Sequence, residues 1–167
     1  MEDPLVQIRH KPPRVLAQPR PLVVACAPLR SRVNLSRIVR AAGCCGVNSL
    51  LCAGEGRIVR RIARDGAERV QIRTHRTLLG PLRELKQAGY RLVALEQTSA
   101  SQPLYTYAFA RQSVLIVGNE RLGLDAELLR LVDDVVEIPV YGLPYSHNVA
   151  TATAIALYEY CRQYPAG

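Results

Sequence analysis

Apolar residues in this chain fall into two patterns: short unbroken runs, and longer stretches where they recur every three or four positions. An unbroken run bounded by turn residues reads as a strand buried on both faces, and the three-to-four spacing reads as an amphipathic helix. On that basis Leu22 to Ala27 is a strand, Leu35 to Ala42 a helix, and Ser49 to Ala53 a second strand, together a β-α-β unit. Leu78 to Ala88 is a helix stopped by Gly89, and Arg91 to Leu95 is the next strand. Ser113 to Val117, Asp125 to Leu131, Val135 to Ile138 and Ser146 to Tyr164 then give strand, helix, strand and a long closing helix. The alternation predicts an α/β fold, a mainly parallel sheet with helices on both faces. Residues 1–21 stand apart: five prolines (Pro4, Pro12, Pro13, Pro19, Pro21) forbid regular helix, and the basic residues among them make this a Pro-rich basic arm. An arm that touches a polyanion and a poorly ordered terminus are both open, with the second slightly favoured.

A chain of 167 residues, 49% of them hydrophobic, is sized for one domain with a sizeable core. It has no long apolar run, and Met1-Glu-Asp-Pro lacks the order of a signal peptide, so a soluble cytoplasmic protein is expected, with no membrane contact. The five cysteines include an adjacent pair but no C-x-x-C, and they read as small buried hydrophobes. His10, His75 and His147 show no ligand spacing, so no metal is predicted. Charge is unevenly placed: residues 1–91 hold sixteen Arg and two Lys against six acids, whereas residues 92–167 hold four Arg against eight acids. The first half is therefore the expected face for a polyanion, and an excess of Arg over Lys suits phosphate recognition.

Three separated segments then read as one site. They are Asn34-Leu-Ser-Arg-Ile-Val-Arg40-Ala-Ala-Gly43, Val114-Leu-Ile-Val-Gly-Asn-Glu120-Arg-Leu-Gly123, and Ile138-Pro-Val-Tyr-Gly142-Leu-Pro-Tyr-Ser-His-Asn-Val-Ala150. Each joins a strand-like run or a glycine turn to a few polar residues of fixed type, a pattern suited to backbone that carries a ligand and side chains that carry chemistry. In the first segment Asn34 reads as the helix cap, with Arg40 between one and two turns further on. In the second, the strand ends at Gly118, and the turn opened by Asn119 and Glu120 closes at Gly123. In the third, Ser146 suits a helix N-cap, placing Asn148 at the second helical position.

Together these segments resemble the signature motifs of the SpoU/TrmH family of RNA ribose 2'-O-methyltransferases, and the resemblance spans nearly everything after residue 21. It implies that residues 22–167 form a methyltransferase domain whose C-terminal part is threaded into a trefoil knot, that the protein is a homodimer, and that it uses S-adenosyl-L-methionine to methylate tRNA or rRNA. It also implies a catalytic set of Asn34, Arg40, Glu120, Ser146 and Asn148, and cofactor contacts from Leu95, Gly118, Asn119, Ile138, Gly142, Ser146 and His147. The family usually has Leu where His147 stands. The RNA side is assigned to Arg37, Arg40, Arg57, Arg60, Arg61 and Arg121, the stretch from Arg57 to Arg64 being read as a basic helix face. An arginine holds its proton too tightly to be an easy general base, so Arg40 is expected to orient the target phosphate and ribose and to stabilise the developing alkoxide. Two other readings fit the residues less well. A dinucleotide-binding protein fails because no G-x-G-x-x-G is completed, and a non-catalytic RNA-binding relative has no need of all five polar residues in register.

Overall fold

A computed structural model describes residues 5–167; the first four residues of the basic arm lie outside the described part. Seven strands form one sheet: β1 (Leu22–Cys26), β2 (Ser49–Ala53), β3 (Gln71–His75), β4 (Arg91–Leu95), β5 (Gln102–Pro103), β6 (Ser113–Val117) and β7 (Asp134–Glu137). Their spatial order is β3-β2-β1-β6-β4-β7-β5, and every neighbouring pair is parallel. The helices are α1 (Arg32–Cys44), the single turns α2 (Arg60–Ala63) and α3 (Gly66–Arg69), α4 (Leu79–Gln87), α5 (Ala126–Leu131) and α6 (Val149–Gln163).

The unbroken apolar strands are explained by two cores, one on each face of the sheet. Leu22, Val24 and Cys26 of β1 pack on one face with Leu35, Ile38 and Val39 of α1 and Ala156, Leu157 and Tyr160 of α6. Val23 and Ala25, pointing the other way, pack with Leu82 of α4 and Leu128 of α5. A strand whose side chains are buried on both faces has no polar position to alternate with.

Strand β3 was not legible in the sequence. Its residues are mostly exposed, with Ile72 the only apolar side chain, because it is the sheet's edge strand. The basic helix expected from Arg57 to Arg64 is reduced to the four residues of α2. Its start is set by Val59, whose N–H is taken by Ser36 Oγ of α1 at 2.7 Å, and Arg64 ends it at φ 53°. Both helix caps read from the sequence are corrected. Ser31, not Asn34, caps α1 by accepting the Asn34 N–H at 3.2 Å. Asn148, not Ser146, caps α6 by accepting the N–H groups of Ala150 and Thr151.

The end of the arm does not run free. Ala17 N–H donates to Ala166 O at 2.8 Å, and the Arg20 guanidinium donates to Tyr164 O at 2.6 Å, so residues 17–20 are tied to the end of α6 and the residues after it. Of the cysteines, Cys26, Cys45 and Cys52 are buried as expected, but Cys44 is exposed on α1 and Cys161 half-buried on α6.

Candidate active site at the carboxyl edge of the sheet

The chain builds β1, β2 and β3 outward in one direction and then crosses to the other side of β1, so the strand order reverses between β1 and β6. The loop after β1 leads to α1 on one face, and the loop after β6 leads to α5 on the other. In open α/β sheets, ligands bind at such a reversal, outside the carboxyl ends of the strands. A cavity of about 250 Å³ lies there, just under the usual range for small-molecule sites of ~300–1,000 Å³. Its apolar lining includes Leu95, Val117, Ile138, Val140, Val149 and Ala152; Glu96, Glu120 and Glu137 add carboxylates and Arg121 a guanidinium.

Two loops are bolted together at the reversal. Asn119 N–H and O exchange hydrogen bonds with Gly123 at 3.0 Å each, closing the turn. The Asn119 side chain accepts from the N–H groups of Arg121 and Leu122 and donates to Pro28 O at 2.6 Å. Asn119 is thus committed to shaping the turn and anchoring it to the loop after β1. Glu120 next to it accepts from Arg30 N–H at 2.9 Å, Ser31 N–H at 3.0 Å and the Asn34 side-chain amide at 3.1 Å. Asn34 Oδ1 in turn accepts from the Asn148 side-chain amide at 3.1 Å. The three sequence segments therefore meet through the chain Glu120, Asn34, Asn148. Burial pushes the Glu120 carboxyl up, but the N–H groups of Arg30, of its own backbone and of Ser31, with the Asn34 amide, outweigh it and hold the group below the usual glutamate range. A depressed carboxylate whose acceptor sites are filled is a structural anchor rather than a proton acceptor.

Six of the seven predicted cofactor contacts line the cavity: Leu95, Gly118, Asn119, Ile138, Ser146 and His147. Gly142 does not; it lies in an adjoining surface depression with Tyr141, Leu143 and Tyr145. Glycine at 118 is also required by the turn itself. A Cβ there would lie 2.6 Å from the Gly123 carbonyl carbon and 2.8 Å from its Cα, so the turn alone demands glycine at this position. Gly123, at φ 64°, is stacked in turn on the Glu96 carboxylate, which accepts the Leu124 N–H at 3.1 Å. Glu96 and Glu137 were missed in the sequence; the available signal was an acid at the carboxyl end of a strand.

Arg40 is not brought to this cavity. It lies six residues beyond Asn34, about 120° around the helix axis and about 9 Å along it. Its side chain is exposed, and the Gly66 backbone of α3 packs against its Cα. Arg37 shares the exposed side of α1, Arg57, Arg60 and Arg61 are exposed after β2, and Arg121 is exposed on the turn at the cavity. Among the described residues there is no group of three or more His, Cys, Asp or Glu placed to hold a metal, and no helix is long and apolar enough to cross a membrane.

A parallel α/β sheet with an open cavity at its reversal, walled by three linked polar segments, defines a small-ligand enzyme domain. The family model described as SpoU rRNA Methylase family matches residues 21–158, and this chain belongs to that family. It is 31% identical over 153 residues to the tRNA (guanosine(18)-2'-O)-methyltransferase of Escherichia coli K12, covering 89% of this chain and 67% of that protein. Over 86 residues it is 41% identical to mouse tRNA (guanosine(18)-2'-O)-methyltransferase TARBP1, covering 52% of this chain and only 5% of that protein. The crystal structure of the Aquifex aeolicus TrmH/SpoU tRNA modifying enzyme superposes with a TM-score of 0.84 at 29% identity, covering 90% of this chain and 78% of that one. An AdoMet-bound rRNA methyltransferase from Sinorhizobium meliloti gives a TM-score of 0.70 at 26% identity, covering 89% and 58%.

Proposed function

We propose that this protein transfers a methyl group from S-adenosyl-L-methionine to a ribose 2'-hydroxyl of tRNA or rRNA, acting in the cytoplasm as a homodimer without a metal. The observation that carries the reading is the Glu120, Asn34, Asn148 chain, which ties all three segments to one cavity mouth. The cavity suits the cofactor chemically: apolar side chains offer a floor for a purine ring, and three carboxylates against one guanidinium favour a ligand bearing a sulfonium and an ammonium. The bound cofactor supplies an electrophilic methyl carbon. Transfer of that methyl to the 2'-oxygen would leave the sulfonium as a neutral thioether, with the hydroxyl proton passing to solvent water.

In this reading Leu95 and Ile138 hold the purine, and Gly118 and Asn119 form the turn that shapes the wall, with Ser146 and His147 closing the side of α6. Asn148 spends its oxygen on the helix cap and one amide hydrogen on Asn34, leaving the other for a ribose oxygen. The trefoil knot belongs to the same reading, supported by β6 lying between β1 and β4.

The dimer supplies what a single chain lacks. Thr151, Ile155, Tyr158 and Arg162 make an exposed stripe along α6, and Val33, Arg37, Arg40 and Cys44 make one along the neighbouring α1. Their apolar members are suited to burial against a second copy. Arg40 then acts at the cavity of that copy, orienting the phosphate and ribose. Co-expression of Arg40→Ala with Asn148→Ala tests this: each alone is inactive, and together they regain about a quarter of wild-type activity, since half the random dimers carry one intact site. No regain places Arg40 outside the partner's site. Calorimetry with S-adenosyl-L-methionine and nucleoside mass spectrometry of tRNA and rRNA, with and without the protein, test the reaction itself. A protein that binds RNA but not the cofactor would sink the enzyme reading.

A further inference from the structure

We infer that the loops after β1, β2 and β3 form a rigid ledge leading away from the cavity, along which the RNA backbone flanking the methylated nucleotide runs, with Arg30 holding the phosphate nearest the reacting ribose. The inference rests on the RNA methyltransferase reading above and adds the path of the substrate and two residues, Arg30 and Arg76, on either side of Arg57, which the sequence had already placed on the RNA side.

The ledge is continuous through contacts that do not involve the arginine side chains. At the cavity, the backbone N–H of Arg30 is held by Glu120 Oε2 at 2.9 Å, and Pro28 O by the Asn119 side chain at 2.6 Å. One loop over, a Cβ on Gly54 would lie 3.9 Å from Pro28 Cβ, so the loop after β2 abuts the loop after β1. Gly54 N–H donates to His75 O at 2.9 Å, which joins it to the end of β3. Gly56 is folded so closely over β3 that a Cβ there would lie 3.2 Å from Ile72 Cγ2. The Ser36 hydroxyl, taking the Val59 N–H at 2.7 Å, fastens the far end of this loop to α1.

Each of the three loops presents one exposed arginine: Arg30, Arg57 and Arg76. Arg30 and Arg76 have no carboxylate partner among the described residues. Arg57 lies 3.7 Å from Glu55, but both side chains are largely exposed and such a pair is weak and screened. Glu55 is the only acid on the three loops. From β1 to β3 the ledge spans about 10 Å at ~4.8 Å between strands. A row of exposed guanidiniums, two of them unpaired and the third only weakly paired, starting at the residue whose backbone Glu120 holds, matches an extended polyanion rather than a small ligand. The placement also explains why an arginine is tolerated at 30. Glu120 uses only its backbone, so the side chain is free to face outward.

The test uses Arg30→Ala, Arg57→Ala and Arg76→Ala, singly and combined, on the full chain, with unfractionated tRNA and a 23S rRNA fragment as probes. Alanine at 30 keeps the N–H that Glu120 uses, so S-adenosyl-L-methionine affinity by calorimetry is expected to stay within about twofold. Each substitution is expected to shrink the slope of log affinity against log salt by about 0.7–0.9. Arg30→Ala should raise the KM for RNA most, with partial recovery in Arg30→Lys, while Arg83→Ala on α4 changes neither slope nor KM. A triple variant that binds RNA with wild-type affinity and slope overturns the ledge, as does one that loses cofactor binding in step with RNA binding. Wild-type protein that binds cofactor but neither RNA overturns the functional reading and the ledge with it.

Discussion

The carboxyl edge of the sheet has two halves of opposite character. Beyond β1, β2 and β3 the loops carry Arg30, Arg57 and Arg76 on an open surface; beyond β6, β4 and β7 stand Glu120, Glu96 and Glu137 around a cavity. Both halves use the same backbone geometry, a parallel strand ending in a short loop. The difference lies in what covers them. On the second half, Ile138, Val140, Ser146 and His147 from the segment between β7 and α6 add a wall beside the strand ends and make an open cavity. Carboxylates there face a site suited to a cationic ligand, and arginines on the uncovered half face a site suited to a polyanion. The join between them is the Glu120 carboxylate, which sits on the acidic side and spends its hydrogen bonds on the backbone of the basic side.

Breaking that join has the largest expected effect. Glu120→Ala leaves the N–H groups of Arg30 and Ser31 and the Asn34 amide without their acceptor; loss of methyl transfer by a factor of at least ~100 and of about 2–3 kcal/mol of stability is expected. Single-turnover rates and denaturant midpoints check the two separately. Next comes Gly118→Ala, where overpacking against Gly123 should cost about 1–3 kcal/mol and weaken cofactor binding through the displaced turn. Cofactor binding lost without any change in stability would instead mean that Gly118 touches the ligand directly.

Glu96→Gln sharpens the contrast between the halves. S-adenosyl-L-methionine should bind about tenfold more weakly, and its neutral product S-adenosylhomocysteine less so. Equal losses would show that Glu96 matters only for bracing Gly123 and Leu124. A smaller effect concerns acid. The Glu120 carboxyl is held below its ordinary value, so the stability it contributes is complete above the unfolded glutamate pKa of about 4.3 and is lost as pH falls through the lower native value. The stability gap between wild type and Glu120→Gln, measured by thermal melts, should therefore narrow as pH falls below about 4. A gap that widened on acidification would reverse the assigned sign.

How much of this was legible beforehand varied by region. The strands β1, β2, β4 and β6 could be read almost to the residue, because two-sided burial leaves an unbroken apolar run. Edge strand β3 and the single turns α2 and α3 could not, since exposed or very short elements carry no periodicity. Among the candidate site residues, Asn34, Glu120 and Asn148 follow from the resemblance of the three segments to the family's motifs, whereas both helix caps differ from those the sequence suggests. Ser31 and Asn148 each satisfy free N–H groups at a helix start, a task that any nearby Ser or Asn could perform, and only packing chooses between them.

The sequence by itself determined the fold class, the segregation of positive charge into residues 1–91, and the residue types available at three separated segments. These depend on local side-chain chemistry, on the unbroken apolar runs of strands buried on both faces and on the three-to-four-residue period of helix. The tertiary structure alone decided that Glu120 binds the loop after β1, that Gly118 packs on Gly123, that Arg40 is exposed and absent from the lining of its own chain's cavity, and that three arginines share one ledge. Each of those is a relation between distant positions. It is settled by which strand is laid beside which, and no local period in the chain records that choice.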